Sequence, residues 1–392
     1  MSDVVISSAA RTAIGSFGRS LRDVPPTELG ASAARAAIER ATLDPAQVDQ
    51  IVFGNVIHTS SEDHYLARVV GINAGIPKES PALTLNRLCG SGLQAVVSAA
   101  QMIQTGDAEV VLAGGAESMS RGAYWMENAR WGARTGEASL VDSVVGTLTD
   151  PFHKIHMGVT AENLARSHGI SREAQDAFAI ESHRRAIAAI EAGRFEAEVV
   201  PVEVKGRKGT VEFKVDEHAR RDVSFETLAK LKPAFHPDGT VTAGNASGIN
   251  DAAAAVVVMS GERAQRLGAP VRGRIISYAV CGVEPRTMGI GPVPAVRKAL
   301  ERAGKQLDQV DIVELNEAFA AQSLAVLQDL GLDTARVNPN GGAIGLGHPV
   351  AATGAILVTK ILSEMEREDH KLGLVSLCIG GGQGIAMLIE RD

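Results

Sequence analysis

The chain predicts an α/β protein built twice over, and three observations carry that prediction. Ala37 to Asn55, AIERATLDPAQVDQIVFGN, lines up with Ala299 to Asn316, ALERAGKQLDQVDIVELN, with a single gap. Each copy reads as amphipathic helix, short turn and apolar strand. Further along, Cys89 opens GLQAVVSAAQMIQTGD ahead of the strand AEVVLAGG, and His348 opens PVAATGAILVTKILSEM ahead of LGLVSLCIGGG. The third observation is texture: the helix faces are almost wholly Ala, Val, Leu and Ile, as expected where a mixed sheet is buried between helices on both sides.

Taken in order, residues 1–118 read as the first half, which resumes at 250–270 because the strand reaching Gly114 finds its partner only in AAAAVVVM after Asn250. The second half, 271–392, joins its last two strands directly through CIGGGQGIAMLIE. Residues 119–249 are therefore an insertion, a lid or an oligomerisation module. It holds both tryptophans, Trp125 and Trp131, and a helix starting after Ser171, an N-cap with Glu173 in the first turn. Between Lys205 and Lys232 eight basic residues face five acidic ones, a local excess that suits a phosphate-bearing ligand.

Bulk properties narrow the class of partner. At 392 residues with 45% apolar and 22% charged, the chain fills two or three ordinary cores. A net charge of −7 argues against nucleic acid or an anionic membrane, both of which need a basic surface. Three cysteines make no disulfide framework and suit a reducing compartment, so the cytoplasm is expected. The start, MSDVVISSAARTAIG, has no basic region followed by an apolar block, and no run of 18 apolar residues comes later.

Chemistry concentrates at glycine-rich chain reversals. Cys89 lies in RLCGSG, between a strand and a helix start, where free N–H groups and the helix dipole favour a thiolate over the ordinary thiol pKa of roughly 8.5. A small buried hydrophobe is the alternative. His348, before Pro349 in GLGHP, reads as the residue entering the equivalent helix of the second half, and would face Cys89 across a pseudo-twofold axis; a core or surface histidine is the alternative. Cys378 enters Gly380-Gly381-Gly382, where bare backbone N–H groups form an oxyanion hole and a second thiol serves as acid and base, or where the chain makes only a tight hairpin. Asn316, at a strand end in ELNEAF, holds a water or an imidazole, or simply caps a helix. His153 and His156 lack a third metal ligand, and Cys281 has no catalytic company.

These strings resemble those of the thiolase family along essentially the whole chain: NRLCGSGLQAV, GGAESMS, HMGVTAEN, AGNASGINDAA, NEAFAAQ, NPNGGAIGLGHP and CIGGGQG. Within it the chain is most similar to short-chain β-ketothiolases, the acetyl-CoA acetyltransferases. The resemblance implies a five-layer αβαβα fold with an inserted loop domain that binds CoA and builds the oligomer. It implies a ping-pong Claisen condensation of acetyl-CoA, or of an acyl-CoA with acetyl-CoA, through acyl-Cys89, and the reverse thiolysis by free CoA. Cys378 is then the proton acceptor, His348 activates Cys89 and stabilises the enolate with a water on Asn316, and the N–H groups of Cys89 and Gly380 hold the tetrahedral intermediate.

By the same resemblance Ser247 and Ala243 take the pantetheine, His156, Met157, Phe235, Met288 and Phe319 line its tunnel, and Arg220 meets the adenine and phosphates. No metal and no cofactor beyond the CoA thioester is expected. A cytoplasmic homotetramer is expected, with a dimer as fallback, in fatty acid metabolism or polyhydroxyalkanoate biosynthesis. The alternatives are a degradative 3-ketoacyl-CoA thiolase of broader chain length, a decarboxylating ketoacyl synthase, a zinc site on Cys89, Cys378 and His348, and a non-catalytic acyl-CoA carrier. The sequence departs from the family pattern at Val350 and Ala351 in HPVAATG, where many relatives carry Ile and Gly.

Overall fold

The computed structural model describes residues 3–206 and 209–392. The first half contributes β1 (Val4–Thr12), β2 (Gln50–Gly54), β3 (Ala82–Leu85), β4 (Val110–Ser118) and β5 (Asn250–Ser260). The second contributes β6 (Gly273–Gly282), β7 (Ile312–Leu315), β8 (Leu372–Ile379) and β9 (Gln383–Glu390). Their spatial order is β7-β8-β9-β6-β1-β5-β4-β2-β3, so β1-β5-β4-β2 and β6-β9-β8-β7 are mirrored sequences of the same connections. Among the described residues the halves pair antiparallel at β1 and β6 through Val5 with Arg274 and Ile6 with Gly273.

Strand alternation sets the layers. On β5, Ala252, Ala254, Val256 and Val258 face a central core, whereas Ala253, Ala255, Val257 and Met259 face α1 (Pro26–Arg40) on the outside. On β9, Ile385, Met387 and Ile389 enter the same central core, and Ala386 and Leu388 face α5 (Pro292–Ala303). Two helices fill the centre, α2 (Ser91–Thr105) and α7 (Thr353–Arg367). Being covered by a sheet on each side, α7 is buried without a break from Thr353 to Met365, and its buried Lys360 is satisfied by Glu314 and the Gly341 carbonyl, each at 2.7 Å. The five layers are helix, sheet, helix pair, sheet, helix.

The duplication extends to irregularities. β1 slips register against β5 between Ile6 and Ser8, and β6 slips against β9 between Ile275 and Ser277. Asp49 accepts the N–H groups of Glu109 and Val110, as Asp311 accepts those of Lys371 and Leu372. This register corrects the sequence alignment: with Asp49 on Asp311, Asn316 falls on Gly54, and Glu317 falls on Asn55. No gap is then needed, because Ala37–Asn55 runs onto Ala299–Glu317 at one constant offset, and a one-residue slip inside the strand would turn every side chain to the wrong face.

Between β4 and β5 run α3 (Met157–Ser167) and α4 (Arg172–Glu191), the latter capped by Ser171, which accepts from the Ala174 N–H. α6 (Ala320–Leu330) follows β7. One buried network fastens this long connection to β1: Arg11 Nε meets Glu198 at 3.0 Å, and its two terminal nitrogens meet the Asp216 carboxylate at 2.8 and 2.9 Å. Such a fully desolvated cation persists only because both carboxylates satisfy it. Tyr124, Trp125, Trp131 and Leu140 stand exposed on the stretch that leaves β4. In the basic run, Arg207 and Lys208 lie outside the described residues. Among the described residues no helix is long and apolar enough to cross a membrane.

Candidate active site

The first turns of α2 and α7 cross at the centre of the molecule, and this brings the loops before them together. Gly90, Ser91 and Gly92 follow Cys89 with no bulky side chain, so the thiol turn seats directly against the second half. Leu88, one residue earlier, adopts φ +47°, a left-handed conformation that costs a branched residue energy. The turn holds because Asn86 Oδ1 accepts the Leu88 N–H at 2.9 Å, while the Ser91 hydroxyl accepts the Arg87 N–H at 2.9 Å and donates to the Leu88 carbonyl at 2.7 Å.

His348 does not enter α7 as expected. The helix begins at Thr353, and Pro349 to Ala352 form a separate turn whose Pro349 carbonyl accepts the N–H groups of Ala352 and Thr353. The extra residues give the imidazole its placement. His348 Nδ1 lies 2.7 Å from Thr353 Oγ1, which donates its only proton to the Pro349 carbonyl at 3.0 Å. With the Thr353 hydroxyl assigned to the Pro349 carbonyl, Nδ1 is the donor and Nε2 carries the lone pair. Asn316 Nδ2 stands 3.5 Å from that Nε2, and Asn250 Oδ1 accepts the His348 backbone N–H at 2.9 Å. Asn316 is no helix cap, because Phe319 holds the N-cap position of α6.

The third contributor is the β8–β9 hairpin. Gly381 and Gly382 take φ of +78° and +84°, which glycine adopts without strain. This turn aims the Gly380 N–H at the Cys89 sulfur, toward which the Cys89 N–H also points. Cys378, at the end of β8, is fully buried and close enough to Cys89 for their charges to oppose each other.

Burial dominates the electrostatics. It pushes the Cys89 thiol up to about 11, against the downward pull of the Gly380 and Cys89 N–H groups. Burial thus outweighs the two N–H groups and favours the neutral thiol, against the thiolate expected at a helix start. Cys378 is raised further still, by burial first and by Cys89 second. Burial also holds His348 down at about 4. All three shifts favour the neutral forms: two thiols and an imidazole whose Nε2 faces Asn316 Nδ2.

Above it opens a predominantly apolar cleft of about 390 Å³, lined by Cys89, His348 and Gly380, together with Ser247, Ala243, His156, Met157, Phe235, Met288 and Phe319. All seven of these tunnel and pantetheine candidates thus share one cavity. His156 caps α3 by accepting the Gly158 N–H at 3.0 Å and stacks on Phe235 with ring centroids 4.7 Å apart. Phe235 meets Phe319 edge-on at 6.1 Å. The Ser247 N–H bonds the Ala318 carbonyl at 3.0 Å, fastening the Ala243–Gly248 loop to the segment after Asn316. Arg220 is not brought to the cleft; it lies exposed beside His183 and His218. Sequence reasoning missed Thr353, Asn250 and Glu117, although HPVAATG, AGNASGINDAA and GGAESMS contain them, and Leu88, whose backbone strain leaves no sequence signal. Among the described residues no group of three or more His, Cys, Asp or Glu is placed to hold a metal ion.

A duplicated five-layer fold with a cysteine, a histidine and a glycine N–H converging under an apolar cleft defines an acyl-transfer protein of the thiolase type. The thiolase N-terminal domain matches residues 4–262 and the thiolase C-terminal domain matches 269–391, so this chain belongs to the thiolase family. It is 57% identical to the beta-ketothiolase BktB of Cupriavidus necator over 99% of both chains. It is 55% identical to an acetyl-CoA acetyltransferase of Pseudomonas aeruginosa over 100% of both. Among solved structures, the Bacillus anthracis acetyl-CoA acetyltransferase superposes with a TM-score of 0.98 at 46% identity, covering 100% of this chain and 99% of that one. Human mitochondrial 3-ketoacyl-CoA thiolase in complex with CoA superposes at 0.97 and 47%, covering 100% and 98%.

Proposed function

We propose that this protein is an acetyl-CoA C-acyltransferase that joins two acetyl-CoA, or an acyl-CoA and acetyl-CoA, into a 3-ketoacyl-CoA, and runs the reverse thiolysis. The observation that carries the reading is that Cys89, His348 and Gly380 line the same cleft as the seven CoA candidates, with the Gly380 N–H directed at the Cys89 sulfur.

His348 Nε2 takes the Cys89 proton as the sulfur attacks the thioester carbonyl, and the N–H groups of Cys89 and Gly380 receive the oxyanion. The CoA sulfur leaves with the proton of Cys378. That leaves acyl-Cys89, an imidazolium and a Cys378 thiolate. The thiolate, made strongly basic by burial, removes the α-proton of acetyl-CoA. The enolate oxygen accepts the His348 Nε2–H beside Asn316, its carbon attacks the acyl carbonyl, and departing Cys89 recovers its proton from His348. A resting neutral imidazole suits this sequence, because a protonated one accepts nothing from the thiol.

The finer reading assigns 119–249 to CoA binding and assembly, with the exposed Tyr124, Trp125 and Trp131 stretch buried in a homotetramer. It places the protein in the cytoplasm, supplying or consuming short 3-ketoacyl-CoA in polyhydroxyalkanoate or fatty acid metabolism. The deciding experiment is a thiolysis assay across 3-ketoacyl-CoA chain lengths. Turnover confined to acetoacetyl-CoA supports the acetyltransferase, turnover of longer chains supports the broader degradative enzyme, and none at any length rejects both.

A further inference from the structure

The matched registers give each residue of the reaction centre a counterpart in the other half. Cys89 pairs with Ala351, Cys378 with Ala116, Asn316 with Gly54 and His348 with Asn86. The mirror site thus has no thiol and no imidazole, and what occupies it is the side chain of Glu117, counterpart of Ile379. Where Ile379 packs under Gly90, so closely that a Cβ there would stand 2.5 Å from its Cδ1, Glu117 reaches under Ala351.

Glu117 is fully buried, and its neighbours are donors from both halves. Oε1 accepts the Ile57 N–H at 3.0 Å and Asn55 Nδ2 at 3.1 Å, and Oε2 accepts the Ala351 N–H at 2.9 Å. Ala351 belongs to the turn that presents the Pro349 carbonyl to Thr353, whose hydroxyl in turn accepts from His348 Nδ1. Val350, in the same turn, packs with Met119 against Cys89. One carboxyl therefore anchors the segment from which both the imidazole and a wall of the thiol pocket hang.

We propose that Glu117 is a positioning residue of the reaction centre, fixing the Pro349–Ala352 turn and through it the ring and tautomer of His348. The inference rests on the acyltransfer reading above. Burial, with a smaller contribution from the Asp63 charge, pushes Glu117 up to about 8 against the pull of the Ile57, Ala351 and Val56 N–H groups; an amide in its stead must turn its NH2 toward at least one of those N–H groups.

The test is steady-state thiolysis of acetoacetyl-CoA by the parent, Glu117→Gln, Glu117→Ile, Thr353→Val and Thr353→Ser, normalised to folded protein by thermal melt. Glu117→Gln is expected to lower kcat about tenfold or more with KM within about twofold, because the imidazole moves while the cleft does not. Thr353→Val is expected to do the same and Thr353→Ser to restore most of it. The Glu117→Gln, Thr353→Val pair is expected to lose less than the two losses combined. Unchanged kcat per folded molecule in Glu117→Gln, or fully additive losses in the pair, overturns the proposal. Should neither Glu117 variant fold, unchanged kcat in Thr353→Val overturns it equally. A parent inactive toward every 3-ketoacyl-CoA removes the acyltransfer reading itself, and the parent assay alone reveals that case.

Discussion

Gly92 and Gly354 are backbone neighbours: a Cβ on Gly92 would stand 2.7 Å from the Ala355 amide nitrogen and 2.8 Å from the Ala351 carbonyl oxygen, and one on Gly354 would collide with the Leu93 amide. Each is the second residue of its central helix, so the two positions are equivalent across the pseudo-twofold axis. This crossing sets the distance between the Cys89 turn and the His348 turn. Gly92→Ala or Gly354→Ala must spread the helices, at a cost of about 1–3 kcal/mol in stability. Activity is expected to fall much further than the folded fraction does. Thermal melts alongside specific activity check this; a variant whose activity simply follows its folded fraction would show that the crossing is not what aligns the site.

The proposed mechanism gives the two thiols separable duties. Cys89→Ser is expected to abolish acyl transfer, since a serine hydroxyl is a far weaker nucleophile beside a neutral imidazole. Cys378→Ala is expected to form acyl-Cys89 slowly and stop there, because no base remains for the α-proton. Intact-protein mass after incubation with acetyl-CoA distinguishes them. Full condensation by either variant would reverse the assignment of roles.

The pH dependence of Cys89 reactivity follows from burial. With the thiol raised to about 11, the thiolate fraction grows about tenfold per pH unit throughout the neutral and mildly alkaline range. Alkylation of the free enzyme by iodoacetamide should therefore accelerate steadily from pH 7 to 10 without levelling off. Peptide mapping of the alkylated cysteine makes the measurement specific. A plateau near neutrality would mean that Cys89 rests as a thiolate paired with imidazolium, and the proton-transfer step proposed for His348 would fail with it.

Much of this architecture is legible in the chain, for physical reasons that also mark where legibility ends. The repeat from Ala37 and Ala299 reveals the duplication because each half must bury the same faces. The gap in that alignment is not needed: at one constant offset Gly54 matches Asn316, and the hydrogen bonding to β4 and β8 follows the same register. Cys89, His348 and the Gly380 N–H advertise themselves through glycine-rich turns, where the backbone has to approach a ligand. Thr353 and Asn250, which orient His348, sit in ordinary helical and strand contexts and acquire meaning only through distance. The thiol pKa is likewise a property of the assembled interior: local sequence supplies the helix start, but two packed halves supply the desolvation.

Phe235 offers the clearest separation of binding from chemistry. Its ring lines the cleft, stacks on His156 at 4.7 Å and meets Phe319 edge-on at 6.1 Å, and Gly158 leaves no space for it to shift toward α3. Pantetheine contacts of this kind are made equally in ground and transition states, so their loss raises KM and spares kcat. Phe235→Ala removes an aromatic wall worth about 1–2 kcal/mol, which corresponds to roughly a tenfold rise in KM for CoA substrates. Thiolysis kinetics at varied CoA read both constants. If kcat falls while KM holds, Phe235 acts on the reacting groups through Met157 and Cys378, which share its apolar cluster, and the CoA path runs along another wall of the cleft.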